Sequence, residues 1–181
     1  MKATISEILL TEEAIRNRVL ELGRQLDRDY DGPIKMICVL KGAVPFLADL
    51  MRAVTKPVFI DFLAVSSYGQ SSESSGVVRL TKDLDESIEG EDVLIVEDII
   101  DTGLTLQYLR QNMLARKPKS LKVAVLLDKV ERRRVDVPVD YVGFTVPDRF
   151  LVGYGLDYAG HFRNLPYVAA IDLEEETHGE S

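Results

Sequence analysis

Residues 93–105, Val-Leu-Ile-Val-Glu-Asp-Ile-Ile-Asp-Thr-Gly-Leu-Thr, constrain the fold more than any other part of the chain. The first four are apolar and mostly β-branched, which suits a strand buried on both faces. Polar groups then crowd together: Glu97, Asp98, Asp101, Thr102, Gly103 and Thr105. Beyond them Leu106, Leu109 and Met113 recur at i, i+3 and i+7, which is helical spacing. Strand, polar turn and helix make half of a βαβ unit, and such sheets bind ligands beyond the carboxyl ends of their strands. Small residues, hydroxyls and backbone N–H groups over 101–105, at a helix N-terminus, suit a phosphate. The two acids before them cannot bind that phosphate directly. They fit if a divalent cation or sugar hydroxyls lie between.

The rest of the chain repeats the same rhythm. Thr11-Glu12-Glu13 reads as an N-cap with acids in the first turn. Ile15, Val19, Leu22 and Leu26 follow at helical steps as far as Tyr30, where Asp31-Gly32-Pro33 ends the helix. Residues 34–40 form a strand with Lys41-Gly42 at its carboxyl end, and Pro45 suits the first turn of the next helix. A second apolar run, 58–65, leads into residues 66–76, where six of eleven are serine. Such a segment buries little surface and reads as a linker or a mobile lid, with Ser67 and Tyr68 favouring the lid. Residues 121–127 form a third buried strand with Asp128-Lys129 at its end. Arg132-Arg133-Arg134 reads as a solvated face, with contact to a partner as the alternative. From Pro147 to Tyr158, Gly, Pro and aromatics break the βα rhythm, before a last strand over 167–171 and a frayed acidic tail.

With 181 residues the chain is about one domain long. A net charge of −8 argues against a general nucleic-acid surface, though a local phosphate pocket needs only N–H groups and a cation. The single cysteine, Cys38, lies inside an apolar run and reads as a core thiol in a reducing compartment. Neither an uninterrupted apolar leader nor an ~18-residue apolar span is present, so the expectation is a soluble, cytoplasmic protein.

Residues 97–105 alone admit three readings: a helix N-cap turn, an acidic phosphoacceptor pocket, or a phosphoribosyl-diphosphate loop. The first explains one acid of three. The second would place its acidic pair after the first strand. The third fits throughout, because four apolar residues, an acidic pair, two apolar residues and Asp-Thr-Gly-x-Thr resemble the 5-phosphoribosyl-1-diphosphate (PRPP) motif of the type I phosphoribosyltransferases. Leu40-Lys41-Gly42, Ser67-Tyr68-Gly69, Asp128-Lys129 and Pro147-Asp148-x-Phe150-x-Val152-Gly153-Tyr154-x-Leu156-Asp157-Tyr158 follow in that family's order. Together they resemble its bacterial hypoxanthine-guanine branch over about residues 5–173.

The resemblance implies an α/β fold, a twisted and mainly parallel sheet flanked by helices, with a small hood. It makes residues 1–181 a single domain, with a core over about 11–144, a hood from about 1–10 and 145–173, and a tail over 174–181. It implies purine salvage: PRPP and hypoxanthine or guanine give IMP or GMP and diphosphate, with Mg²⁺, in a homo-oligomer. Asp101, Thr102, Gly103, Leu104 and Thr105 would hold the 5′-phosphate, and Glu97 and Asp98 the ribose hydroxyls. Lys41, Gly42 and Arg163 would hold the diphosphate, and the Leu40–Lys41 peptide bond can be cis in this family. Asp157 would meet Mg²⁺, with Glu97 and Asp98 near it through the ribose. Phe150 would stack on the purine, while Leu151, Asp157 and Lys129 would read its edge. Asp101 would be the general base at N7. Leu104 stands where the animal enzymes carry lysine, which is the bacterial habit. RNA-binding regulators sharing the motif would need a basic face, which the net charge opposes. Orotate, adenine and xanthine phosphoribosyltransferases fit less well at Lys129 and over 150–157.

Overall fold

In the structure, a computed structural model, residues 2–67 and 78–174 are described. In chain order they form β1 (Lys2–Leu10), α1 (Glu12–Asp29), β2 (Ile34–Val39), α2 (Val44–Ala53), β3 (Val58–Ser67) and β4 (Val78–Lys82). Then follow β5 (Asp92–Ile100), α3 (Leu104–Leu114), β6 (Ser120–Asp128), β7 (Tyr141–Thr145), β8 (Leu151–Val152) and β9 (Val168–Glu174). A six-stranded sheet has the order β4-β3-β2-β5-β6-β7, parallel throughout except where β4 joins β3. A second, antiparallel sheet of order β1-β9-β8 forms the hood.

The 93–96 run is buried because β5 is central, paired to β2 on one side and β6 on the other. Side chains alternate across the pleat. Met36 and Cys38 of β2 and Leu94 and Val96 of β5 join one core with Ile15, Val19, Leu22 and Leu26 of α1 and Phe46 and Leu50 of α2. Ile37, Val93 and Ile95 join another with Leu106, Leu109 and Met113 of α3. Each fully buried leucine or isoleucine contributes about 1.5–3 kcal/mol of apolar transfer. α1 starts where the cap predicts, with Thr11 Oγ1 accepting the Ala14 N–H at 3.1 Å. No helix among the described residues is long and apolar enough to cross a membrane.

The end of β5 differs from the sequence reading. β5 does not end at Val96 but runs through the acidic pair to Ile100. Parallel pairing with β6 continues there, Glu97 opposite Val125, Ile99 opposite Leu127 and Ile100 opposite Asp128. The ladder holds the backbone extended although the side chains have become polar. The acids therefore stand on a rigid strand, and the turn begins only at Asp101.

Candidate active site

β5 hands over to α3 through Asp101, Thr102 and Gly103. Gly103 has φ 87°, and a Cβ there would lie 3.1 Å from Val135 Cγ2, so both backbone conformation and packing call for glycine. The loop is bolted from outside. The Lys129 N–H donates to the Ile100 carbonyl at 3.0 Å, and the Arg134 N–H to the Thr102 carbonyl at 2.9 Å. Inside the loop, Thr102 Oγ1 accepts the Leu104 N–H at 3.3 Å. A cleft of about 240 Å³ opens here, lined among others by Leu40, Glu97, Asp101, Thr102, Gly103 and Thr105. It lies at the N-terminus of α3, whose first turn carries no acid to oppose an anion.

Across the strand ends, the Leu40–Lys41 peptide bond is cis. Gly42 packs directly on Asp98, and a Cβ at Gly42 would overlap Oδ2 of that carboxylate. Arg163 is anchored by Nη1 donating to the Gly155 carbonyl at 2.7 Å, and its Nη2 lies 3.0 Å from Asp157 Oδ1. Asp157 Oδ2 accepts the Gly160 N–H at 2.8 Å. Burial, then repulsion from Asp98, pushes the Glu97 carboxyl well above its ordinary value. Asp98 is also raised by burial, though the Ile99 N–H at 2.7 Å and the Arg163 charge act against it.

The side assigned to the base is built by β6, β8 and the loop after β7. Lys129 is almost buried, at 11% exposure, with Nζ 3.9 Å from Asp148 Oδ1. Phe150 is 46% exposed and meets Tyr158 edge-on, ring centroids 5.3 Å apart. Leu151 is fixed in the hood sheet opposite Ala170. Neighbouring Arg149 reaches Ser6 Oγ at 2.8 Å and Glu7, which ties this loop to β1.

The arginine run is not merely a solvated face. Arg132 Nε donates to Asp101 Oδ1 at 2.8 Å, and its Nη1 lies 3.6 Å from Asp148 Oδ2. Arg133 grips Asp128 through Nε at 3.2 Å and Nη2 at 2.9 Å. The one signal for this in the sequence was three arginines just after a strand end, which composition alone reads as surface. Asp148 lies within the motif that opens at Pro147, and only the fold brings it beside Arg132 and Lys129. Ser67 ends β3 at the strand level only, and Tyr68, with the rest of the expected lid through Gly76, lies outside the described residues.

Comparisons with known proteins point to one family. A family model described as phosphoribosyl transferase domain matches residues 6–159. A hypoxanthine-guanine phosphoribosyltransferase of Bacillus subtilis is 52% identical over 172 residues, covering 94% of this chain and 96% of that protein. A hypoxanthine phosphoribosyltransferase of Salmonella typhimurium is 50% identical over 179 residues, covering 97% of this chain and all of that one. The crystal structure of a Bacillus anthracis hypoxanthine-guanine phosphoribosyltransferase superposes with a TM-score of 0.89 at 47% identity, over 95% of this chain and 100% of that one.

Proposed function

The chain belongs to the phosphoribosyltransferase family, and from that membership we propose how its side chains divide the reaction. The activity is hypoxanthine-guanine phosphoribosyl transfer in purine salvage. Purine N9 forms a bond to C1′ of the ribose as the bond from C1′ to diphosphate breaks, giving IMP or GMP. The 5′-phosphate sits against residues 101–105, at the N-terminus of α3. Glu97 and Asp98 face the ribose hydroxyls. Burial raises both carboxyls above their ordinary values. Lys41, Gly42 and Arg163 take the diphosphate, whose negative charge grows as the bond breaks.

Phe150 stacks on the base and Lys129 donates to its 6-oxo group. Asp101 holds the proton of N7 as N9 attacks. The carrying observation is that Asp101 and Lys129 stand at the carboxyl ends of neighbouring strands, with the Lys129 N–H bonded to the Ile100 carbonyl at 3.0 Å. An N7 acceptor and an O6 donor belong side by side.

Mg²⁺ fits the donor set. It takes one or two carboxylates plus substrate phosphates rather than a cage of protein ligands. No group of three His, Cys, Asp or Glu among the described residues is placed to hold a metal, while Asp157 offers one carboxylate beside Arg163. When bound, the cation would neutralise the leaving diphosphate. We further assign a cytoplasmic location, consistent with the lone buried cysteine, and assembly into a homo-oligomer. For the latter, Phe59 at 57% exposure and Ile60 offer apolar surface at the start of β3, which pairs with β2 on one edge and, among the described residues, meets β4 on the other only from Ala64 onward. Turnover with PRPP, Mg²⁺ and each of hypoxanthine, guanine, xanthine and adenine tests the assignment. Activity on adenine alone, or on none of the four, would overturn it.

A further inference from the structure

Arg132 has no part in the roles above, yet its guanidinium lies between two of them. It donates from Nε to Asp101 Oδ1 at 2.8 Å and points Nη1 at Asp148 Oδ2, 3.6 Å away. Asp148 Oδ1 in turn lies 3.9 Å from Lys129 Nζ. Four side chains thus form a row of alternating charge: Asp101, Arg132, Asp148, Lys129. The row begins at the carboxylate assigned to purine N7 and ends at the ammonium assigned to O6. Arg132 is also held at a fixed distance from Asp101, because backbone bonds clamp its segment to the loop on both sides. These are Lys129 N–H to Ile100 O at 3.0 Å and Arg134 N–H to Thr102 O at 2.9 Å.

The pair is too exposed to add much to folding, since Arg132 and Asp101 are 45% and 46% exposed. Its consequence is orientation. The terminal torsion of an aspartate is broad and two-fold, so a free carboxylate turns readily. A guanidinium on Oδ1 restricts that freedom. N7 and O6 are adjacent on one edge of a 6-oxopurine, so the two groups that meet them must keep a fixed separation, and Asp148 spans that separation.

We propose that Arg132 is a positioning residue that fixes the Asp101 carboxylate and, through Asp148, ties it to Lys129, so that the N7 acceptor and the O6 donor act as one unit. The proposal rests on the assignment of Asp101 and Lys129 given above.

Steady-state kinetics of Arg132→Gln, Arg132→Lys, Asp101→Asn and the double variant Arg132→Gln/Asp101→Asn, with melting temperatures, test it. Arg132→Gln is expected to lower kcat about tenfold with the KM for PRPP and the Tm unchanged, and Arg132→Lys to recover part of the loss. In the Asp101→Asn background, Arg132→Gln should add nothing further. Asp148→Asn, which breaks the row midway, should raise the KM for hypoxanthine and leave that for PRPP alone; an unchanged KM removes Asp148 from the unit. A wild-type kcat in Arg132→Gln, or a loss that multiplies with that of Asp101→Asn, overturns the role of Arg132 while Asp101 keeps its own. Full turnover in Asp101→Asn by itself instead overturns the Asp101 assignment, and this proposal with it.

Discussion

Gly42 lies so close beneath Asp98 that a single added carbon would fall on the carboxylate oxygen. The loop assigned to the diphosphate and the acid assigned to the ribose are therefore in direct contact, and Asp98 cannot swing away without losing the Ile99 N–H. Gly42→Ala is expected to push the two apart and raise the KM for PRPP about tenfold or more. A fall in Tm should accompany it, since overpacking costs about 1–3 kcal/mol. An unchanged KM would mean that the two elements separate freely.

Asp101→Asn should retain PRPP binding, because the backbone of residues 101–105 is untouched, and lose turnover. An amide oxygen cannot take the N7 proton, and general-base losses run to about 10²–10⁴-fold. Calorimetric PRPP binding beside steady-state rates separates the two effects. Equal losses in affinity and rate would reduce Asp101 to a phosphate-loop residue.

Much of this site was legible because its spacing is local. Residues 93–105 carry strand, acids, loop and helix start in one run, and the structure keeps that order, with Glu97 and residues 99–103 and 105 lining one cleft. The helices were legible for the same reason, with Thr11 capping and Ile15, Val19, Leu22 and Leu26 buried. What was not legible depends on contacts between distant segments. β5 outlasts its apolar run only because β6 pairs beside it. Arg132 reads as surface until Asp101, 31 residues earlier in the chain, is found against its Nε. Gly42 sits in the turn after β2 without a left-handed backbone, and the need for glycine there comes from Asp98 on β5.

The acidic pair gives the ligand-free protein a distinctive pH dependence. The Glu97 carboxyl is raised in the folded state above its ordinary 4.5, by burial first and Asp98 second. The folded chain then binds that proton more tightly than the unfolded one. Its contribution to stability is complete below about pH 4.5 and is lost as pH rises through the folded value. Glu97→Gln removes the titration, so the stability of the variant relative to wild type should increase progressively over the range above about pH 4.5. Melting curves across that range check it. A margin that stays constant would mean that Glu97 ionises as it would in water.

The choice of base should rest on Lys129. Its ammonium offers three donors and no acceptor, and at 11% exposure, facing Asp148 at 3.9 Å, it is held almost out of water. A 6-oxopurine presents an oxygen to that charge, whereas adenine presents an amino group that can only donate. Two donors meeting there would leave the ammonium unpaired towards the base, and sites that demand a hydrogen bond discriminate by ~10⁴-fold or more. The wild-type protein should therefore use hypoxanthine or guanine and leave adenine nearly untouched. Lys129→Gln supplies an amide that can turn its oxygen towards the adenine amino group, so the discrimination should weaken. Loss of hypoxanthine turnover alone would not establish the point, since Asp148 also loses its partner. The ratio of kcat/KM for hypoxanthine to that for adenine, measured in both proteins, is the decisive quantity, and an unchanged ratio would remove Lys129 from the purine site.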